Sequence, residues 1–117
     1  MSKPRIGLIG CGAIAEFHVP ALIEAGLEVS AVAGSPGSAR AREFATCHNI
    51  ARVFETADDL LGQKNEFDGI LIAVPISRTL EILRTTVETG LPVLVEKPIS
   101  YRSADLESIR ATNHPLI

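Results

Sequence analysis

The sequence predicts an α/β domain built on a doubly wound parallel sheet, and three observations predict it. Short apolar runs alternate with longer amphipathic stretches along the 117 residues. The runs are apolar at successive positions, as strands are when both faces of a sheet are covered by helices. A glycine-rich turn stands directly between the first apolar run and the first amphipathic stretch.

The elements follow in order. Residues 5–9, bounded by Pro4 and Gly10, read as a buried strand. Residues 12–25 carry Ile14, Phe17, Leu22 and Ile23 at helical spacing, and Gly26 ends that helix. Residues 27–33 form a second strand. Residues 36–47 form a second helix, opened by Ser35 or Ser38. Residues 52–54 are a short third strand, and residues 57–61 a short helix capped by Thr56. Residues 69–74 are the most apolar strand. Residues 77–89 form a helix with Leu80, Leu83 and Val87 on one face, followed by Gly90. Residues 92–95 are a fifth strand and residues 103–112 a last helix. Right-handed crossovers then give strand order 3-2-1-4-5. Residues 115–117 look like a sixth strand cut off as it begins, so a fragment of a longer protein is expected, with weak self-association or modest stability from the apolar surface left bare, and a homo-oligomer is among the partners the sequence allows.

Composition removes other classes. An apolar fraction of 46% and a charged fraction of 21% suit one globular domain rather than a disordered chain. A net charge of −3 with no basic run argues against nucleic-acid binding. Cys11 and Cys47 are too few for a disulfide framework, and His18, His48 and His114 lack metal-ligand spacing, so no metal site is expected. Leu8-Ile9-Gly10-Cys11 mimics a lipoprotein cleavage site, but the five apolar residues before the cysteine fall short of the roughly 7–15 of a signal segment. No run nears the roughly 20 apolar residues of a membrane span, and a soluble, cytoplasmic protein is expected.

Gly10-Cys11-Gly12-Ala13-Ile14-Ala15 fits G-x-G-x-x-A at the first strand–helix turn, the fingerprint of a Rossmann dinucleotide site. Gly10 allows the tight turn, Gly12 lets the backbone approach a pyrophosphate, and Ala15 lets helix and strand pack closely. The free N–H groups and positive end of the helix then attract the anion. NAD binders usually place an acid after the second strand to hold the ribose 2′-hydroxyl. Here residues 33–40 carry no acid, and Ser35 and Arg40 favour a 2′-phosphate, hence NADP over NAD. Arg40 and Arg42 also fit the solvated face of the second helix.

At the end of the fifth strand stands Glu96-Lys97-Pro98, on the sheet edge where ligands sit in this fold. A lysine there can hydrogen-bond a substrate hydroxyl and favour its deprotonation as hydride leaves, with Pro98 restricting Lys97 to extended geometry. The residue types equally suit a surface lysine paired with Glu96.

Residues 6–15 with His18, the stretch Asp68-Gly69-Ile70-Leu71-Ile72-Ala73-Val74-Pro75, and Leu91-Pro92-Val93-Leu94-Val95-Glu96-Lys97-Pro98 together resemble the glucose–fructose oxidoreductase / inositol dehydrogenase (Gfo/Idh/MocA) family. The resemblance implies an NAD(P)-dependent oxidoreductase acting on a sugar, cyclitol or sugar nucleotide. It implies Lys97 as the active-site lysine, with Glu96 beside it at the cofactor. Ala73, Val74 and Pro75 would line the nicotinamide side, and Gly10, Gly12, Ala13 and Ile14 the phosphates. Two departures stand out: Thr79 occupies a position where the family often has histidine, and Gly34 the position of the usual acid. The family's second domain, which supplies most substrate contacts and commonly an acid–base histidine, is not in this sequence, so residues 1–117 are expected to be the dinucleotide-binding domain and inactive alone. The alternatives are a stand-alone nucleotide- or CoA-binding sensor and, fitting poorly, an S-adenosylmethionine methyltransferase.

Other residues carry two readings each. Cys11, at a helix N-terminus, is either a thiol made reactive by the dipole or a small residue that fits the loop. His18 either approaches the cofactor or packs on its helix. Asp58, Asp59, Glu66 and Asp68 begin or end elements and do not form a catalytic dyad.

Overall fold

Val, Ile, Leu and Ala at successive positions cannot face water on either side, so these runs become strands covered on both faces. A computed structural model describes residues 3–35 and 39–95. The strands are β1 (Arg5–Ile9), β2 (Glu28–Ala33), β3 (Arg52–Phe54), β4 (Gly69–Ile72) and β5 (Val93–Val95). All neighbouring pairs are parallel, in order β3-β2-β1-β4-β5, as expected. The helices are α1 (Ala13–Glu24), α2 (Arg40–His48), α3 (Ala57–Leu61) and α4 (Ile76–Val87). The expected last helix at 103–112 and sixth strand at 115–117 lie outside the described residues.

Successive strand residues feed two separate cores. Ile9, Ala33, Ile70 and Ile72 pack with Leu60, Leu61, Ile82 and Leu83 of α3 and α4. Leu8, Val32, Leu71 and Ala73 pack with Ala15, Val19 and Leu22 of α1 and Phe44 and Ala45 of α2. Such two-sided burial makes the domain doubly wound. The β1–β2 register slips once, with Ile6 opposite Val29 but Gly7 opposite Ala31, leaving Ser30 as the extra residue.

Local chemistry sets the helix ends. Gly26, at φ +88°, closes α1: its N–H donates to Ile23 O and that of Leu27 to Leu22 O, the paired bonds of a Schellman motif. Leu22 and Leu27 join the same core, completing the motif's hydrophobic contact. Thr56 caps α3 as expected, its Oγ1 accepting from Asp59 N at 3.0 Å.

Three expectations need correction. α1 turns Ala15, Val19 and Leu22 inward, whereas Phe17 is 78% exposed and Ile14 and Ile23 about half exposed. Ala15, Val19 and Leu22 take the inner face because they lie on the side of α1 that packs against β2 and joins the core of Val29 and Val32. α2 starts at Arg40 with Ala39 as its uncapped N-terminal residue, so Ser35 does not open it. The Ser35 hydroxyl instead accepts from Arg78. Ser38 lies outside the described residues. β4 ends at Ile72 and α4 begins at Ile76, with Thr79 and Thr86 sharing its buried face with Ile82 and Leu83. The Thr86 hydroxyl meets this burial by donating to Ile82 O at 2.7 Å.

Candidate dinucleotide site

The carboxyl ends of β1, β2 and β4 are tied together. Gly10 N donates to Ala33 O at 2.9 Å and Ala73 N to Ile9 O at 2.8 Å. The chain therefore leaves β1 against its neighbour, and Gly10 takes φ +117° to do so. A Cβ at Gly10 would stand 2.0 Å from Ala73 O, so only glycine fits. Gly12 differs. It has φ −92° and ψ −165°, accessible to any residue, and a Cβ there would meet nothing within 4 Å.

The open space beside Gly12 belongs to a cavity of about 530 Å³ at this edge. Gly10, Gly12, Ala13 and Ile14 form one wall, Ser35 and Arg40 another, and Ala73, Val74 and Pro75 a third. Nine of the ten cofactor positions expected from the sequence thus share one cavity. The tenth, Glu96, and the expected catalytic Lys97 lie outside the described residues.

Cys11, Gly34, Ala57 and Arg78 also line the cavity and were not expected there. Arg78 comes from the first turn of α4, and its Nη1 lies 3.4 Å from Ser35 Oγ, joining α4 to the segment after β2 across 43 residues of sequence. The available signal was its place three residues after Pro75, in the first turn of a helix that follows a strand's carboxyl end. No carboxylate is among the described residues that line the cavity, whose charged members are Arg40 and Arg78.

Gly34 explains the missing acid sterically. A Cβ there would lie 2.8 Å from the Ala41 Cβ and 3.5 Å from Cys11 Sγ. α2 sits too close for a side chain at this position. Burial pushes the Cys11 thiol above its ordinary pKa, and the positive charge of Arg40 offsets this only in part. The dipole-activated thiol is therefore corrected to a suppressed one: desolvation outweighs the nearby positive charge.

The remaining residues have structural partners. Thr79 is buried, donating to Pro75 O at 3.2 Å. His18 lies edge-on to Phe17, ring centroids 5.8 Å apart. Glu66 pairs with Arg52, and Asp68 accepts from Arg5 N at 2.8 Å. Among the described residues there is no cluster of three or more His, Cys, Asp or Glu suited to a metal ion, and no helix long and apolar enough to cross a membrane.

The model of the oxidoreductase family with an NAD-binding Rossmann fold (GFO_IDH_MocA) matches residues 4–114. The chain belongs to this family. It is 35% identical over 99 residues to the rhizopine catabolism protein MocA of Rhizobium meliloti, covering 84% of this chain and 30% of that protein. It is 34% identical over 103 residues to inositol 2-dehydrogenase of Corynebacterium glutamicum (strain R), covering 86% and 30%. The WlbA dehydrogenase from Chromobacterium violaceum, solved with NADH and UDP-GlcNAcA, superposes with TM-score 0.84 at 27% identity, over 97% of this chain and 33% of that one. The chain thus spans about 30% of the length of these curated relatives. Family membership makes it a nicotinamide-dinucleotide-binding domain and sets aside the sensor and methyltransferase alternatives.

Proposed function

We propose that the cavity at the carboxyl edge holds a nicotinamide dinucleotide, NADP(H) in preference to NAD(H). We further propose that the chain is the cofactor domain of an enzyme moving hydride to or from a hydroxyl or keto group of a sugar, cyclitol or sugar nucleotide. Gly12 carries the first part. The fold does not need glycine there, since the backbone is unstrained and a Cβ would meet only the cavity. A ligand pressed against the backbone does need it.

Each wall then has a task. Gly12, Ala13 and Ile14 would offer backbone N–H groups at the start of α1 to the pyrophosphate. Ser35 and Arg40 would take the 2′-phosphate, because Gly34 leaves no carboxylate to repel it or to hold a free 2′-hydroxyl. Ala73, Val74 and Pro75 would flank the nicotinamide with apolar surface that keeps water away. Bound nicotinamide supplies the hydride donor or acceptor. Lys97, two residues past the end of β5 in sequence, would donate a hydrogen bond to the substrate hydroxyl and favour its deprotonation as hydride leaves, with Glu96 beside it. The substrate class is supported by the relative named as inositol 2-dehydrogenase and by the WlbA dehydrogenase solved with UDP-GlcNAcA, and the share of their length that is matched supports a separate substrate-binding domain in the whole enzyme.

Calorimetric titration of the chain with NADPH and NADH tests the cofactor assignment. Tighter NADPH binding is expected. Equal or tighter NADH binding would overturn the 2′-phosphate assignment, and binding of neither would overturn the site itself.

A further inference from the structure

We propose that Arg78, arriving from α4, is a specificity-determining residue that recognises the cofactor's 2′-phosphate from the side opposite Arg40. This rests on the assignment of NADP(H) to the cavity. In this fold the adenosine ribose lies at the end of the second strand, beside Ser35 here. α2 places Arg40 on one side of that point. α4 follows β4, on the other side of β1, yet its Arg78 guanidinium comes to 3.4 Å from the Ser35 hydroxyl. Two arginines from different helices thus line one cavity, and the Ser35 hydroxyl in that cavity is within reach of Arg78.

The surroundings of Arg78 favour a role in anion recognition. The one hydrogen-bond partner of its side chain among the described residues is the Ser35 hydroxyl at the cavity, although it also borders a smaller hollow lined in part by Asp58 and Glu81. Arg78 is exposed, and a hydrogen bond to Ser35 from an exposed side chain adds little to stability. A phosphate accepts from a guanidinium in paired, planar geometry that a serine hydroxyl cannot match. A 2′-phosphate would therefore give Arg78 its better partner, and a 2′-hydroxyl would not.

Arg78→Met and Arg78→Lys in the full 117-residue chain test this, with NADPH and NADH titrated calorimetrically and folding followed by far-UV circular dichroism. Arg78→Met is expected to weaken NADPH binding by about 10- to 100-fold, leave NADH binding within about twofold, and keep the melting temperature. Arg78→Lys is expected to recover part of the NADPH affinity, as a point charge without the planar fork. An equal loss for both cofactors would overturn the proposal and make Arg78 a contact to the shared adenosine. An unchanged preference in Arg78→Met, with the wild type still favouring NADPH, would overturn the role of Arg78 but leave the NADP(H) assignment intact. A wild-type chain that prefers NADH would overturn both.

Discussion

Gly10 and Gly12 stand two residues apart in the same motif, yet alanine should fail at each for a different reason. At Gly10 the backbone itself forbids it. The φ of +117° lies where side chains are strained, at about 1–3 kcal/mol. The new Cβ would stand 2.0 Å from Ala73 O, a backbone atom fixed by the β1–β4 pairing, adding about 1–3 kcal/mol of overpacking. The sum, about 2–6 kcal/mol, is a large part of a typical domain stability of about 5–15 kcal/mol. At about 4 °C per kcal/mol, Gly10→Ala should melt at least about 8 °C lower, or not fold. At Gly12 the backbone is extended and the methyl group would enter open space. Lost unfolded-state entropy stabilises Gly12→Ala by about 0.4–1 kcal/mol, while alanine is the poorer N-cap by a similar amount. The melting temperature should therefore stay within about 4 °C. Its methyl group would nevertheless fill the cradle beside the first N–H groups of α1. Losing even one charge-assisted hydrogen bond to the pyrophosphate costs about 1.5–3 kcal/mol, or about 10- to 100-fold in affinity. Thermal melts by circular dichroism and titration with NADPH read the two quantities separately. A Gly12→Ala chain that folds and binds normally would refute the cradle.

Two further perturbations have worked-out signs. Cys11, half-buried with a raised pKa, should react with iodoacetamide at pH 8 more slowly than exposed Cys47, and bound NADPH should slow it further; mass spectrometry of the labelled chain reads both. Because the folded state holds the Cys11 proton above the pH at which the unfolded thiol, with a pKa of about 8.5, releases it, stability should fall as pH rises through that value, and Cys11→Ala should flatten the slope in denaturant titrations. Thr56→Ala removes the hydroxyl that caps the five-residue helix α3 and should cost about 1 kcal/mol without changing cofactor affinity, as read by urea denaturation and calorimetry.

The strands were legible because their apolar runs leave no other solution. Residues such as Leu8 and Ile9, or Leu71 and Ile72, cannot both be buried unless helices cover both faces, and the order follows from right-handed crossovers. The cavity was legible because one fold places the ends of β1, β2 and β4 together: the glycine turn and the segment after β2 were read from their residues, and residues 73–75 from the family resemblance. On α1 only Leu22 was read correctly: large apolar residues draw attention, whereas the face set against β2 carries Ala15 and Val19 and leaves Phe17 exposed. Arg78's place at the cavity edge had a signal in its position after Pro75, but its approach to Ser35 was not legible, because that depends on how α4 is set relative to the end of β2. The same holds for Gly34: its absent side chain reads as a missing acid in the sequence and as a close approach of α2 in the structure.

That close approach makes cofactor preference a matter of packing as well as charge. An aspartate at position 34 would restore the residue type that holds a ribose 2′-hydroxyl and repel a 2′-phosphate. Its Cβ, however, would lie 2.8 Å from that of Ala41, which is buried and has no rotamer to yield. Gly34→Asp alone should therefore cost about 1–3 kcal/mol as α2 is pushed outward. Ala41→Gly alone should cost about 1 kcal/mol, the usual loss for glycine in a helix. Combined, they should cost at least about 1 kcal/mol less than their sum, because removing the Ala41 methyl group makes room for the new side chain. The double variant should also shift the ratio of NADPH to NADH affinity towards NADH by at least about tenfold, with α2 back in place and the carboxylate facing the ribose. Additivity within about 0.5 kcal/mol would mean that the contact between positions 34 and 41 does not limit the site. An unchanged affinity ratio in a well-folded double variant would mean that the 2′ position of the cofactor is not read at the end of β2 at all.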